Sequence, residues 1–350
     1  MAIINLATKY ESKLDERYTQ RSLTDAFCGK NFEWNGVNAI SVWTLLTDEL
    51  NDYDATASAN RFGTPSEVDD ELNTYPLKRK RSFSKVFDIT NVQDQMFVKK
   101  ANSYLKQMWD ERYIPEIDTY RLKTWANGAG LGTVAAAVTK TNVAEAILTA
   151  HAALDDAAVP AENRVTFVRT DVAVKCKLAE ELSHNQNWTD KTIVKGKIAE
   201  IGGSPVVSVP KSRMPAGVEF IVKYKNATAD PMKLRMLRAN DNAPGYAGTL
   251  MEGLCRYDSF VLAQKADGIY VYSTAGTDAP TITQSGNSVS ISGTGTIKYT
   301  TDGSNPKTSE TAQVYSTDIV LTKNAQIRAY AYESGKLNSA IASHEAKYGG

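Results

Sequence analysis

The stretch Asn91–Trp125 constrains this chain most. Phe97, Ala101, Tyr104, Leu105, Met108 and Trp109 recur at steps of three and four, which draws one apolar stripe along a helix. Asn91 is placed to cap it, and Asp94 falls in the first turn, where the helix end is positive. At about 1.5 Å per residue, a helix from Val92 to Ile114 runs roughly 35 Å, the width of a small domain. Such a helix is a spine on which other elements pack. Pro115 lacks the N–H of a continuing helix but suits a first turn, so Ile117, Tyr120, Leu122 and Trp125 are expected on a second, angled helix.

Before the spine, residues 1 to about 35 place Leu6, Tyr10, Leu14, Arg17 and Tyr18 near helical spacing, ahead of Gly29. That is either an ordinary first helix or an arm that finds its core on a neighbouring subunit. Ala39–Leu46 (AISVWTLL) reads as a strand. From Asn51 to Asp70 the text is small and polar with one Pro, a long loop of the kind that is usually functional or disordered. The chain returns through Leu77–Ile89, where Phe83, Phe87 and Ile89 alternate with polar residues at strand period. The expected hairpin is basic on this arm (Lys78, Arg79, Lys80, Arg81, Lys85) and acidic at its tip (Glu67, Asp69, Asp70, Glu71). By charge alone, the basic run is a solvated strand end, a phosphate-binding patch or an intersubunit contact.

After the spine, Asn127–Thr133 (NGAGLGT) has glycines at 128, 130 and 132, which is not the dinucleotide spacing, and a flexible connection is expected there. Thr141 or Asn142 caps a helix ended before Pro160, Arg164–Val168 is a short buried strand, and Asp171 starts another helix. From Ile193 to Tyr272 the pattern turns to strands, with a hairpin at Gly202–Pro205. Strands following helices point to an α+β arrangement rather than a doubly wound sheet. Near Ser273 the composition shifts. Residues 277–350 contain no Trp, Phe, Met or Cys and offer short alternating segments, which reads as an all-β sandwich appended to the main body.

Chemistry-bearing residues are sparse. Lys plus Arg and Asp plus Glu both total 40, so the formal charge is zero, which argues against a dedicated nucleic-acid binder. The three histidines, His151, His184 and His344, have no second ligand at metal spacing, and Gly203-Ser204-Pro205 lacks a nucleophile elbow. Cys28, Cys176 and Cys255 fit buried thiols in a reducing compartment. No secretory signal and no run of some 18 apolar residues is seen. The expectation is a non-enzymatic protein with no cofactor, no metal, no catalytic residue and no membrane partner.

The order of parts resembles a major capsid protein of tailed bacteriophages, of the Hong Kong 97 fold, across roughly residues 1–273. The resemblance rests on KYESKLDERY at 9–18, RFGTPSEVDD at 61–70, RSFSKVFDITNVQDQ at 81–95, IPEIDTYRL at 114–122, EIGGSPVVSVP at 200–210 and RYDSFVLAQKADGIY at 256–270. It implies an N-terminal arm over 1–35 and a capsid core over 36–273. Within that core it implies an extended β-hairpin loop at about 47–90, a spine helix at about 91–114, a peripheral domain, and an axial domain within about 160–250. Separately, IKYTTDGSNP at 297–306, with Tyr315 and Ile327–Ala329, resembles the immunoglobulin-like C-terminal domain of chitobiases and hexosaminidases, without their catalytic barrel.

These resemblances imply a homo-oligomer of pentamers and hexamers enclosing double-stranded DNA without sequence-specific binding, assembled in a host bacterial cytoplasm and resident in the virion capsid. A portal protein and a separate scaffolding protein are expected partners, the latter because the arm motif begins by Lys9, which leaves no room for a cleaved scaffolding segment. Lys78, Arg79, Lys80, Arg81, Lys85, Glu67, Asp69 and Asp70 are the candidate intersubunit contacts. The appended domain either faces glycans or host surfaces with Tyr299, Tyr315, Tyr330 or Tyr332, or braces the capsid with those rings packed inside. The rival readings are a phage tail structural protein and a non-catalytic carbohydrate-binding surface protein.

Overall fold

The structure, a computed structural model, describes residues 22–30, 32–35, 39–45, 70–88, 101–179, 197–240 and 247–349, with a few positions between 53 and 62 and at 244–245. The chain opens with β1 (Glu33–Asn35), β2 (Ala39–Leu45), β3 (Asp70–Pro76) and β4 (Arg79–Asp88). β2 pairs antiparallel with β3, from Ala39↔Pro76 to Leu45↔Asp70. The expected return arm therefore splits at Leu77. The acidic strand closes the hairpin on β2, while the basic strand β4 pairs with a strand far along the chain, at residues 248–257. The reason is apolar: Phe83 and Phe87 pack on Tyr104 at 6.3 and 5.6 Å between ring centres, so β4 must lie where the spine lies.

The spine comprises α1 (Ala101–Met108), a π turn over Trp109–Tyr113, and α2 (Ile114–Gly128). Residues 91–100, where the stripe begins, lie outside the described residues. A second α-helix does begin at Ile114 with Pro115 in its first turn, as expected, but without a break: Tyr113 and Ile114 keep helical backbone angles and the helical path continues to Gly128. The π turn explains how. The Ile114 N–H reaches back five residues to the Trp109 carbonyl, and the widened turn makes room where a prolyl ring would otherwise crowd the preceding turn.

The rest of the main body follows as β5 (Leu131–Val134), α3 (Val143–Asp156), β6 (Arg164–Arg169), α4 (Thr170–Leu178), β7 (Lys197–Ile201), β8 (Ser204–Val209), β9 (Val218–Tyr224), β10 (Thr228–Ala229), β11 (Met232–Asn240), β12 (Gly248–Tyr257), β13 (Phe260–Val261) and β14 (Ile269–Ser273). Six strands form one mixed sheet in the order β5-β14-β9-β6-β8-β7. Its side chains alternate between two cores, as strand period requires. Val165, Phe167 and Ile221 meet Leu122 and Trp125 of α2 on one side, and Val168, Phe220 and Val222 meet Ile147, Leu154 and Val172 of α3 and α4 on the other. A three-stranded sheet, β11-β12-β4, packs through Cys255 and Tyr257 on Tyr113 and Ile117 of the spine.

The glycine run after α2 is a close crossing, not the flexible connection expected. β5 runs parallel to β14, and a Cβ on Gly130 would fall 2.1 Å from Asp267 Oδ1, while one on Gly132 would fall 2.7 Å from the Val271 carbonyl oxygen. At the β7–β8 turn, Gly202 and Gly203 have φ of +58° and +74°, which suits a tight hairpin of right-handed twist.

The C-terminal part contains β15 (Thr281–Ser285), β16 (Ser288–Ser292), β17 (Thr296–Thr300), β18 (Gln313–Val314), β19 (Ile319–Val320), β20 (Ala325–Tyr332) and β21 (Ala342–Ala346). They form two sheets, β15-β16-β19 and β18-β17-β20-β21, around Val289, Ile291, Ile297, Ile327 and Ala329. This is the all-β sandwich expected from the composition.

Candidate assembly surfaces

The basic strand divides. Arg81 Nε lies 2.6 Å from Glu116 Oε1 on α2, and Arg79 Nη2 lies 3.3 Å from the same oxygen, with its guanidinium 4.4 Å from the centre of the Tyr120 ring. The Tyr257 hydroxyl also donates to Glu116, at 3.1 Å, and burial together with that carboxylate pushes the Tyr257 pKa up to about 12. Two of the five cations are thus paired within the chain, while Lys78, Lys80 and Lys85 are exposed. Glu67 and Asp69 lie outside the described residues, as does the side chain of Asp70, whose backbone opens β3.

The hairpin has an apolar outer face that sequence reading passed over. Trp43 and Leu72 stand opposite each other across β2 and β3 and are 60% and 44% exposed. On the other face Ile40 is buried with Leu77, Ala229 and Leu262. Strand alternation carries the signal: if Ile40 points in, Trp43 points out.

The segment from Ser22 to Phe27 is rooted in a polar cage. Asp118, fully buried on α2, accepts from Ser22 Oγ at 2.8 Å, Thr24 Oγ1 at 2.7 Å, the Leu23 N–H at 3.1 Å and Arg213 Nη1 at 2.9 Å. Arg121, one turn on, donates to Thr24 Oγ1 at 3.0 Å and pairs with Asp25. Lys223 on β9 donates to the Phe27 carbonyl at 2.8 Å; burial draws its pKa down to about 8, partly offset by Asp230. An acid and a base three apart on the buried face of a helix were the available signal, within the IPEIDTYRL stretch.

The four tyrosines all pack on protein. Tyr299 and Tyr315 meet edge to face beside the sandwich core, and the Tyr315 hydroxyl accepts from the Ile291 N–H at 3.0 Å. Tyr330 and Tyr332 stack and join the cluster beneath α2, with Tyr330 only 7% exposed, which leaves that ring no face for a sugar. Between α2, β13 and the turn at 305–309, a cleft of about 770 Å³ opens beside Tyr75, Tyr120, Lys123 and Phe260. Ser204 Oγ lies 3.1 Å from His151 Nε2, but Ser204 is fully buried and among the described residues His151 Nδ1 has no hydrogen-bond partner, so the pair is a packed polar contact beneath Gly202.

A family described as Fn3 associated matches residues 288–346, within the sandwich. No curated protein matches the chain. Among solved structures, that of Mycobacterium phage Che8 is similar over 78% of this chain and 99% of its own, at 15% identity and a TM-score of 0.62. The capsid structure of the cyanophage P-SCSP1u is similar over 76% of this chain and 92% of its own, at 12% identity and a TM-score of 0.57. The mature capsid of bacteriophage PhiM1 gives 76% and 91%, at 11% identity and a TM-score of 0.54. The chain has the fold of a phage capsid subunit.

Proposed function

We propose that the chain is the major capsid protein of a tailed phage, a structural protein whose copies assemble into the icosahedral head shell around double-stranded DNA. One observation carries the reading: structures described as phage capsids are covered over 92% and 91% of their own lengths, so a whole subunit of that fold is contained here. Two features of the chain agree with it. The β2–β3 ribbon presents Trp43 and Leu72 to solvent, an apolar face that a neighbouring copy would cover. The zero formal charge suits a wall that encloses DNA without binding it tightly. In this reading pentamers and hexamers form in the host bacterial cytoplasm, with a separate scaffolding protein and a portal, and Lys78, Lys80 and Lys85 meet the acidic 67–71 stretch of neighbours.

Electron microscopy of the recombinant protein, alone and with a scaffold candidate, tests this. Closed icosahedral shells are expected. Tubes or rings of fixed diameter would replace the capsid reading with a tail protein, and a monodisperse monomer under all conditions would favour a binding module.

A further inference from the structure

We propose that the C-terminal sandwich is a clasp on the end of the spine helix, and that the core does not hold that end firmly without it. This does not depend on what the chain assembles into. α2 ends at Gly128 with no basic residue in its last turn. The last carbonyls of a helix have no partner within it and form the negative end of its dipole. Lys307 of the sandwich, 180 residues further on, supplies what the helix lacks: its Nζ donates to the Asn127 carbonyl at 3.1 Å and the Ala129 carbonyl at 2.6 Å.

A second cation works beside it. Arg328 Nη2 donates to both carboxylate oxygens of Asp267, at 2.9 and 2.7 Å. Asp267 is the residue against which Gly130 is packed, so Arg328 holds the turn that β5 must clear. Around these two, the Ile341 N–H donates to the Gly130 carbonyl at 2.7 Å, and Asn305 Nδ2 donates to the Ala263 carbonyl at 3.1 Å. Each bond runs from a sandwich donor to a core acceptor.

The alternation of β20 explains why one strand does both jobs. Ile327, Ala329 and Ala331 fill the sandwich, while Tyr330 and Tyr332 pack with Leu122, Trp125 and Val271 of the main body. The linker is held as well: the Thr274 N–H donates to the Gly217 carbonyl at 2.7 Å, and the Thr277 N–H donates to the Leu337 carbonyl at 3.1 Å. A decoration hung on a tether needs none of this.

Hydrogen exchange on the full chain tests the clasp with three variants. Val289→Ala loosens the sandwich from within, in an apolar cluster separate from that of the main body. It is expected to raise exchange of peptides covering 126–134 roughly tenfold or more, because the two parts open together. Lys307→Met and Arg328→Met are expected to raise exchange at 126–134 while leaving β15 and β16 protected. If 126–134 exchanges as in the wild type in all three variants, or if Val289→Ala frees the sandwich alone, the sandwich is an independent appendage and the proposal fails.

Discussion

The Lys223 ammonium sits 4.2 Å from the centre of the Trp125 indole, joining β9 to the spine helix through a cation and an aromatic face. The same ammonium donates to the Phe27 carbonyl, and the indole N–H donates to Asp230 Oδ1 at 3.1 Å. The segment around Phe27, the spine and the central sheet therefore share one buried polar knot.

Lys223 and Lys307 both have lowered pKa values, to about 8 and about 7 from an ordinary 10.5, because burial disfavours the ammonium. Between those values and 10.5 the unfolded chain binds more protons than the folded one. The contribution of these two groups to stability is therefore lowest below pH 7 and rises with pH up to about 10. Urea midpoints measured from pH 6 to 10 are expected to climb through this range more steeply in the wild type than in Lys223→Met. Equal slopes would show that Lys223 does not titrate there.

Asp118→Asn keeps the shape of the cage and removes its charge. Arg213 would then face a neutral amide, and breaking a buried pair in this way costs about 3–5 kcal/mol. The urea midpoint should fall accordingly, and the segment from Ser22 to Lys30 should become the first site of proteolysis. A loss below about 1 kcal/mol would mean that water replaces the carboxylate.

Gly130→Ala puts a methyl 2.1 Å from Asp267 Oδ1 and 2.7 Å from the Asp267 backbone nitrogen. A backbone atom cannot step aside as a flexible side chain can, so a loss of about 2 kcal/mol or more is expected, read as a lowered Tm. Gly203→Ala has open space around it and only a strained φ to bear, so it should cost less.

The five basic residues of the Lys78–Lys85 region separate fold from assembly. Lys78→Glu, Lys80→Glu and Lys85→Glu together should leave monomer stability within about 0.5 kcal/mol and impair shell formation by sedimentation. Arg79→Glu with Arg81→Glu should instead lower stability by about 1 kcal/mol, since both face Glu116 in a partly exposed site. Normal shells from the triple lysine variant would remove those lysines from the contact.

Much of the path was legible from local pattern. The AISVWTLL strand, the helix after Asn142, the RVTFV strand, the turn at Gly202-Gly203 and the composition change near Ser273 all depend on neighbours in sequence, and each stands where the spacing puts it. The basic run was visible as well, but not its division, because Glu116 reaches Arg79 and Arg81 only after β4 has paired with β12.

The sequence by itself determined most of the helices and strands and the alternation of their faces, because periodicity and turn chemistry act over a few residues. Only the tertiary structure decided that β4 leaves its hairpin for β12 and that the spine passes Pro115. It also decided that Gly130 is a crossing point, and that Tyr330, Arg328 and Lys307 face the core rather than solvent. Those outcomes depend on partners far along the chain; Lys307 meets a carbonyl 180 residues before it. A buried cation or a missing Cβ has meaning only once the acceptor or backbone it meets has been brought beside it.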